Sequence, residues 1–161
     1  MNYKKLTTKD FHFIKTIESR WRDMDAIRHI NNATYLNYFE TTRVEYLSTL
    51  GFDLIRWESD SSVILASMKI DYLKQSTYPS IYEIGCRITR LGKKSFDILS
   101  VIFDSESGLP IVAGIFTLVT FDYKTQQTIP INDAIKNSYS PLDSHKSVSY
   151  THLTLPTILL V

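Results

Sequence analysis

The sequence predicts an α+β fold in which one antiparallel sheet wraps a single long central helix. Three observations predict it: one amphipathic helical pattern closing at Gly51, a later series of β-rich runs separated by hairpin turns, and their order, which is strand, helix, then strands only. At 161 residues, 43% of them hydrophobic and 12% aromatic, the chain is long enough for one domain with a substantial core and short for two. The domain is expected over 1–135, followed by a polar tail over 136–147.

Residues 1–10 are polar and expected to be loose. Phe11, Phe13 and Ile14 open a mixed apolar segment that reaches Trp21 and reads as the first strand. After a polar turn the helix begins. Leu36, Phe39, Arg43, Leu47 and Leu50 fall at i, i+3, i+7, i+11 and i+14, and Tyr35 and Tyr46 widen the stripe to one broad apolar face. Asn31 or Asn32 supplies an acceptor for an orphan N–H at the start, and Gly51 the left-handed residue that closes the end.

Phe52 to Ser62 is irregular, with Trp57 expected to cover one end of the core. Ala66, Met68, Ile70 and Tyr72 alternate with Ser67, Lys69 and Asp71, the period of a strand with one buried face. Tyr78-Pro79 interrupts it, because proline removes a ladder donor. Ile84, Cys86 and Ile88 resume the alternation, Leu91 to Lys94 reads as a hairpin turn, and Phe96 to Phe103 as the next strand. Asp104 to Gly108 forms a second turn, and Ile111 to Tyr123, β-branched, aromatic and nearly uncharged, has the composition of a central strand. Ile131 to His145 reads as a short helix or a tail.

Lysine and arginine number 18 against 17 acidic residues, so no global field points to nucleic acid or to an anionic membrane. The single Cys86 forms no internal disulfide and alternates with apolar neighbours, so it reads as buried filler. With no apolar signal segment or spanning helix among the native-looking residues, a cytoplasmic location is expected. Val148 to Thr157 fits no element of the fold and resembles a translated sequencing-adapter read-through, so 148–161, His152 included, is set aside.

The chemistry gathers just before the helix. Asp23, Asp25 and His29 deliver carboxylates and an imidazole to a helix N-terminus, where unpaired N–H groups favour an oxyanion forming on a carbonyl. The backbone N–H groups near Asn32, Ala33, Thr34 and Tyr35 are candidates to hold it. Asp23 is expected to shape the turn; no Cys or His cluster completes a metal set beside it. Glu40 and Arg43, one turn apart, are expected to pair on the helix surface or at an interface, with Glu40 as a reserve base.

The run Asp23-Met-Asp-Ala-Ile-Arg-His-Ile-Asn-Asn-Ala-Thr-Tyr-Leu36, continued by Tyr38-Phe-Glu40 and Arg43, resembles the signature of the hotdog-fold thioesterases of the hydroxybenzoyl-CoA thioesterase family. Arg90-Leu-Gly-Lys-Lys-Ser-Phe96 is similar to that family's turn and following strand, so the resemblance runs from about Ile14 to Pro130. It implies the hotdog architecture and a homodimer or homotetramer with active sites between subunits. It also implies hydrolysis of an acyl-CoA, with coenzyme A as part of the substrate and no other cofactor or metal.

In the family the second acidic residue of the Asp-x-Asp pair is the catalytic carboxylate, and that position is Asp25. It would act as nucleophile or through a water, with His29 either polarising the carbonyl or holding structure. Arg90, Lys93 and Lys94 suit coenzyme A phosphates. Two positions depart from related signatures. Ile27 stands where plant acyl-ACP thioesterases carry Asn, which speaks against that carrier, and Arg28 stands where many members carry Gly, which tolerates positive φ. An acyl-ACP thioesterase and a non-catalytic acyl-CoA-binding protein are the alternatives.

Overall fold

The computed structural model describes residues 2–52 and 61–142. Trp57, the end of the polar tail and the segment 148–161 lie outside the described residues. The elements are β1 (Phe13–Glu18), α1 (Asn32–Thr49), β2 (Ser61–Tyr72), β3 (Ile81–Leu91), β4 (Ser95–Asp104), β5 (Pro110–Asp122), β6 (Gln127–Thr128) and α2 (Asp133–Asn137). The strands are antiparallel in the order β1-β3-β4-β5-β2, with β6 also paired to β5, so β1 and β2 are the two edges.

Both ends of α1 are closed locally. Asn31 is the cap: its Oδ1 accepts the Ala33 N–H at 2.9 Å. At the other end Gly51 takes φ +85°, its N–H donates to the Ser48 carbonyl, and the Phe52 N–H reaches the Leu47 carbonyl, both at 3.1 Å. That paired closure needs a residue without a Cβ at its left-handed position. Between the caps, Phe39 and Leu47 face Ile84, Ile88, Ile98 and Phe116 in the main core. Arg43 also turns inward. It is only 8% exposed, with its guanidinium 4.8 Å from the Phe116 ring centre, while Glu40 stays exposed. Arg43 thus rests its cation on an aromatic face inside the core, and Glu40 acts on it only through its charge, without the close surface pair expected.

Three other expectations are corrected. Residues 2–10 are ordered in two short 3-10 turns, Tyr3–Lys5 and Thr8–Asp10, because Tyr3 and Phe11 cover the outer face of the sheet against Leu99, Val101 and Phe103. Phe11 lies so close over β3 that a Cβ on Gly85 would stand 2.3 Å from its ring. Trp21 is outside the first strand: it sits in a 3-10 turn, exposed, edge-on to Tyr78 at 5.9 Å.

In β2, finally, a bulge between Leu65 and Ser67 reverses the alternation. Val63 before it and Ile70 after it both pack toward the main core, whereas Ala66, Met68 and Tyr72 remain exposed. The face that the alternation marked as buried is half open, because β2 is an edge strand and its bulge turns part of that face outward.

Candidate active site

Asp25 and His29 sit on a loop whose neck is pinned shut. The Asn31 N–H donates to the Asp23 carbonyl at 2.8 Å, and Met24 and Ile30 form an antiparallel bridge just inside it. Within the loop the Asp25 N–H donates to the His29 carbonyl at 2.8 Å, and Asp25 Oδ1 accepts the N–H groups of Ile27 at 2.9 Å and His29 at 3.4 Å. One carboxylate oxygen is therefore used to fold the loop. Among the described residues, Oδ2 has no partner.

Arg28 supplies the sharpest bend, with φ 66°. The turn thus keeps the left-handed position at which related signatures carry glycine, and here a Cβ occupies it. Such a conformation costs an L-residue roughly 1–2 kcal/mol. Glycine would relieve that and lose part of the gain to unfolded-state entropy, so Arg28→Gly is expected to raise stability by about 0.5–1 kcal/mol. Urea unfolding of the two proteins decides it, and a lower midpoint for the variant would refute the strain.

The loop faces a cavity of about 360 Å3. Asp25, Ile27 and His29 line one side, Asn32 and Tyr35 the start of α1, and Tyr72, Lys74, Gln75 and Ser76 the exit of β2. Tyr72 was read from the sequence only as a strand residue, and Lys74, Gln75 and Ser76 were not singled out. The signal of those three was a polar run between a strand and Tyr78-Pro79, which marks a loop and not its neighbours. They are drawn in by the Ile30 N–H, which donates to the Ser76 carbonyl at 2.9 Å, by Thr77 Oγ1, which donates to the Arg28 carbonyl, and by Tyr72 OH, which donates to the Asn32 carbonyl, both at 3.2 Å.

The first turn of α1 also presents donors. The Ala33 N–H is held by the Asn31 side chain and the Thr34 N–H by the Asn31 carbonyl at 2.9 Å. The Asn32 N–H has no acceptor among the described residues. Tyr35 contributes its ring: it is buried against Tyr72, Tyr38 and Tyr82, and burial pushes its hydroxyl pKa up, keeping it a neutral donor.

Asp23 anchors this arrangement from behind. Its Oδ2 accepts Tyr38 OH at 2.6 Å and the Arg20 N–H at 2.8 Å, and its Oδ1 meets Arg20 Nη2 at 3.2 Å. Burial opposes its charge, but the hydrogen bonds from Tyr38 and Arg20 outweigh that and hold its carboxyl below the usual carboxylate range. A carboxyl whose folded pKa is depressed adds stability that is present above its unfolded pKa and lost as pH falls through the folded value. The protein is therefore expected to exceed Asp23→Asn in urea midpoint at about pH 6, with the gap narrowing below about pH 4. A gap unchanged down to about pH 2 would contradict that linkage.

Two groups of expected site residues stand apart from the cavity. Glu40 does not line it. Arg90 is forked on Asp97, Nε to Oδ2 at 2.6 Å and Nη2 to Oδ1 at 2.7 Å, so its guanidinium is already occupied. Lys93 and Lys94 are exposed in the turn between β3 and β4. Glu18 pairs with Ile81 at the start of β3, so Asp25 lies beyond that end, and the 11 residues of β3 separate it from the lysine turn. At about 3.3 Å per residue that is roughly 30 Å. Cys86 is inert as expected, fully buried, with burial pushing its thiol up to about 12.

Comparison with known proteins places the fold and the family. Over 122 residues the chain is 24% identical to the long-chain acyl-CoA thioesterase FadM of Escherichia coli, covering 74% of this chain and 91% of that protein. A thioesterase from Thermus thermophilus, solved with coenzyme A and zinc, superposes with a TM-score of 0.68 at 26% identity, covering 80% of this chain and 97% of the other. The PA5185 protein of Pseudomonas aeruginosa does so with a TM-score of 0.73 at 25% identity, over 82% and 92%. The fold is the hotdog fold, a curled antiparallel sheet around one central helix. With the model of the Thioesterase-like superfamily matching residues 19–138, from the neck of the Asp25 loop to the end of α2, the chain belongs to that superfamily.

Proposed function

We propose that this chain hydrolyses an acyl-CoA to a free acid and coenzyme A, as a thioesterase of the hydroxybenzoyl-CoA thioesterase type. The observation that carries the reading is the single cavity in which Asp25, His29 and the Asn32 end of α1 meet. Ile27, Ile30, Tyr35 and Leu73 give it apolar wall for an acyl group. A thioester carbonyl seated there would direct its oxygen to the Asn32 N–H, where the helix dipole stabilises negative charge. Asp25 Oδ2 takes a proton from water as the water oxygen bonds to the carbonyl carbon. The C–S bond then breaks, and the proton passes to the departing thiolate. In the alternative route Asp25 attacks the carbon itself, the C–S bond breaks to expel the coenzyme A thiolate, and water then hydrolyses the resulting anhydride to the free acid and the Asp25 carboxylate, its released proton passing to the thiolate. His29 orients the water or the carbonyl.

The lysine turn cannot reach this cavity within one chain, so the nucleotide contact is assigned to a second copy, whose Lys93 and Lys94 would meet the phosphates. The open edge of β2, with Leu65, Met68 and Tyr72 exposed along it, supports a homo-oligomer formed there. Release of free thiol from short, long and aromatic acyl-CoAs tests the reading. Turnover of at least one class is expected; an acyl-CoA bound and never consumed would instead make this a binding protein.

A further inference from the structure

We infer that Asp23 is a positioning residue for the reaction, clasping the Asp25 loop and the first two turns of α1 in one register; the inference rests on the thioesterase reading above. Asp23 is only 4% exposed, yet four residues converge on it. Its side chain takes Arg20 at the exit of β1 and Tyr38 in the second turn of α1. Its carbonyl takes the N–H of the cap residue Asn31 at 2.8 Å and the Thr34 hydroxyl at 3.4 Å. Both strands of the loop neck and both early turns of the helix are thus tied to one residue.

The consequence for chemistry is geometric. The proposed base, Asp25, lies two residues beyond Asp23 on one side of the neck, and the proposed oxyanion donor, the Asn32 N–H, lies next to Asn31 on the other. Their separation is set by the clasp together with the Met24–Ile30 bridge and the Asp25–His29 hydrogen bonds inside it. Tyr38 is a stiff strut for it, since its ring is buried with centroids 6.2 Å from Tyr35 and 5.8 Å from Tyr82. A shift of about 1 Å between such groups is enough to cost on the order of 100-fold in rate. Cohesion alone does not call for an ionised carboxylate at this place, because packed apolar groups often stabilise as well as a buried ion pair.

The test compares the protein with Tyr38→Phe, Asp23→Asn and the double variant, with kcat expressed per folded molecule and amide hydrogen exchange followed across the loop. Tyr38→Phe keeps the ring and so keeps the test usable if Asp23→Asn folds poorly. Each single change is expected to lower kcat by about 10- to 100-fold with KM nearly unchanged. The double variant should be no worse than the poorer single one, because both break the same clasp. Exchange at Asn31 and Thr34 should accelerate in all three.

A role in stability alone would lower the melting temperature and leave kcat per folded molecule intact, which would overturn the inference. Strictly multiplicative losses in the double variant would also overturn it. If the parent turns over no thioester, the functional reading fails, and exchange still decides the clasp: unchanged protection at Asn31 in Tyr38→Phe would refute it.

Discussion

Asp25→Asn is expected to lower turnover of the preferred acyl-CoA by about 10²- to 10⁴-fold, the range that a positioned general base contributes. The substitution separates chemistry from structure unusually well. The amide oxygen of asparagine can still accept the Ile27 and His29 N–H groups that Asp25 Oδ1 holds, so the loop keeps its fold. What disappears is the second oxygen as a base or nucleophile. Steady-state kinetics at equal folded concentration checks it, with KM expected to move little because the apolar walls are untouched. Turnover equal to the parent would make Asp25 a loop cap only, and would shift attention to Glu40, exposed on α1.

Met68→Arg is expected to block the proposed assembly along β2, leaving monomers, and to raise KM for acyl-CoA by about tenfold or more. Met68 lies on the open edge of β2 and is 51% exposed in the single chain. Two copies meeting along this edge would bring two like charges together in a desolvated contact. The kinetic effect follows from the distance between the lysine turn and the cavity. A monomer keeps Asp25, His29, Asn32 and Lys74 at the cavity but lacks the Lys93 and Lys94 of a second copy. The loss of one charge-assisted contact to phosphate corresponds to about 1.5–3 kcal/mol, at least tenfold in affinity. Sedimentation velocity and thiol release measured on the same samples decide it. A parent already monomeric and active, or a monomeric variant with unchanged KM, would remove the second copy from the site.

The two predictions probe different ranges of interaction, and the same division separates what was legible in the sequence from what was not. The caps of α1, the hairpin turn at Gly92 to Lys94 and the co-location of Asp25 with His29 depend on residues within a few positions of one another. The physical cause is contained in the stretch that shows it: Asn31 reaches Ala33 two residues away, and Gly51 needs no partner to take positive φ. The Arg28 bend was legible in part, since the signature marked a position that wants glycine, and the loop bonds around Asp25 were strong enough to impose that conformation on arginine.

Other features are contacts between distant segments. Ser76 and Tyr72 enter the site because Ile30 and Asn32 meet them across 40 or more residues of chain. Arg90 could be read as a phosphate ligand until the β3–β4 register set Asp97 beside it. Arg43 carried its charge into the core because Phe116 offered a ring beneath it. Tyr3 and Phe11 ordered a polar N-terminus because the outer face of the sheet needed covering.

By itself, then, the sequence determined the long helix and the main strands, the α+β class and the loop that carries the proposed carboxylate, since periodicity, caps and turns act over a few residues. Only the tertiary structure decided which side chains share the cavity, which cations are already paired and which edge is left open. Those outcomes depend on register between strands that lie far apart in the chain, and one residue of slip or one bulge, as at Leu65, turns a buried face into an exposed one.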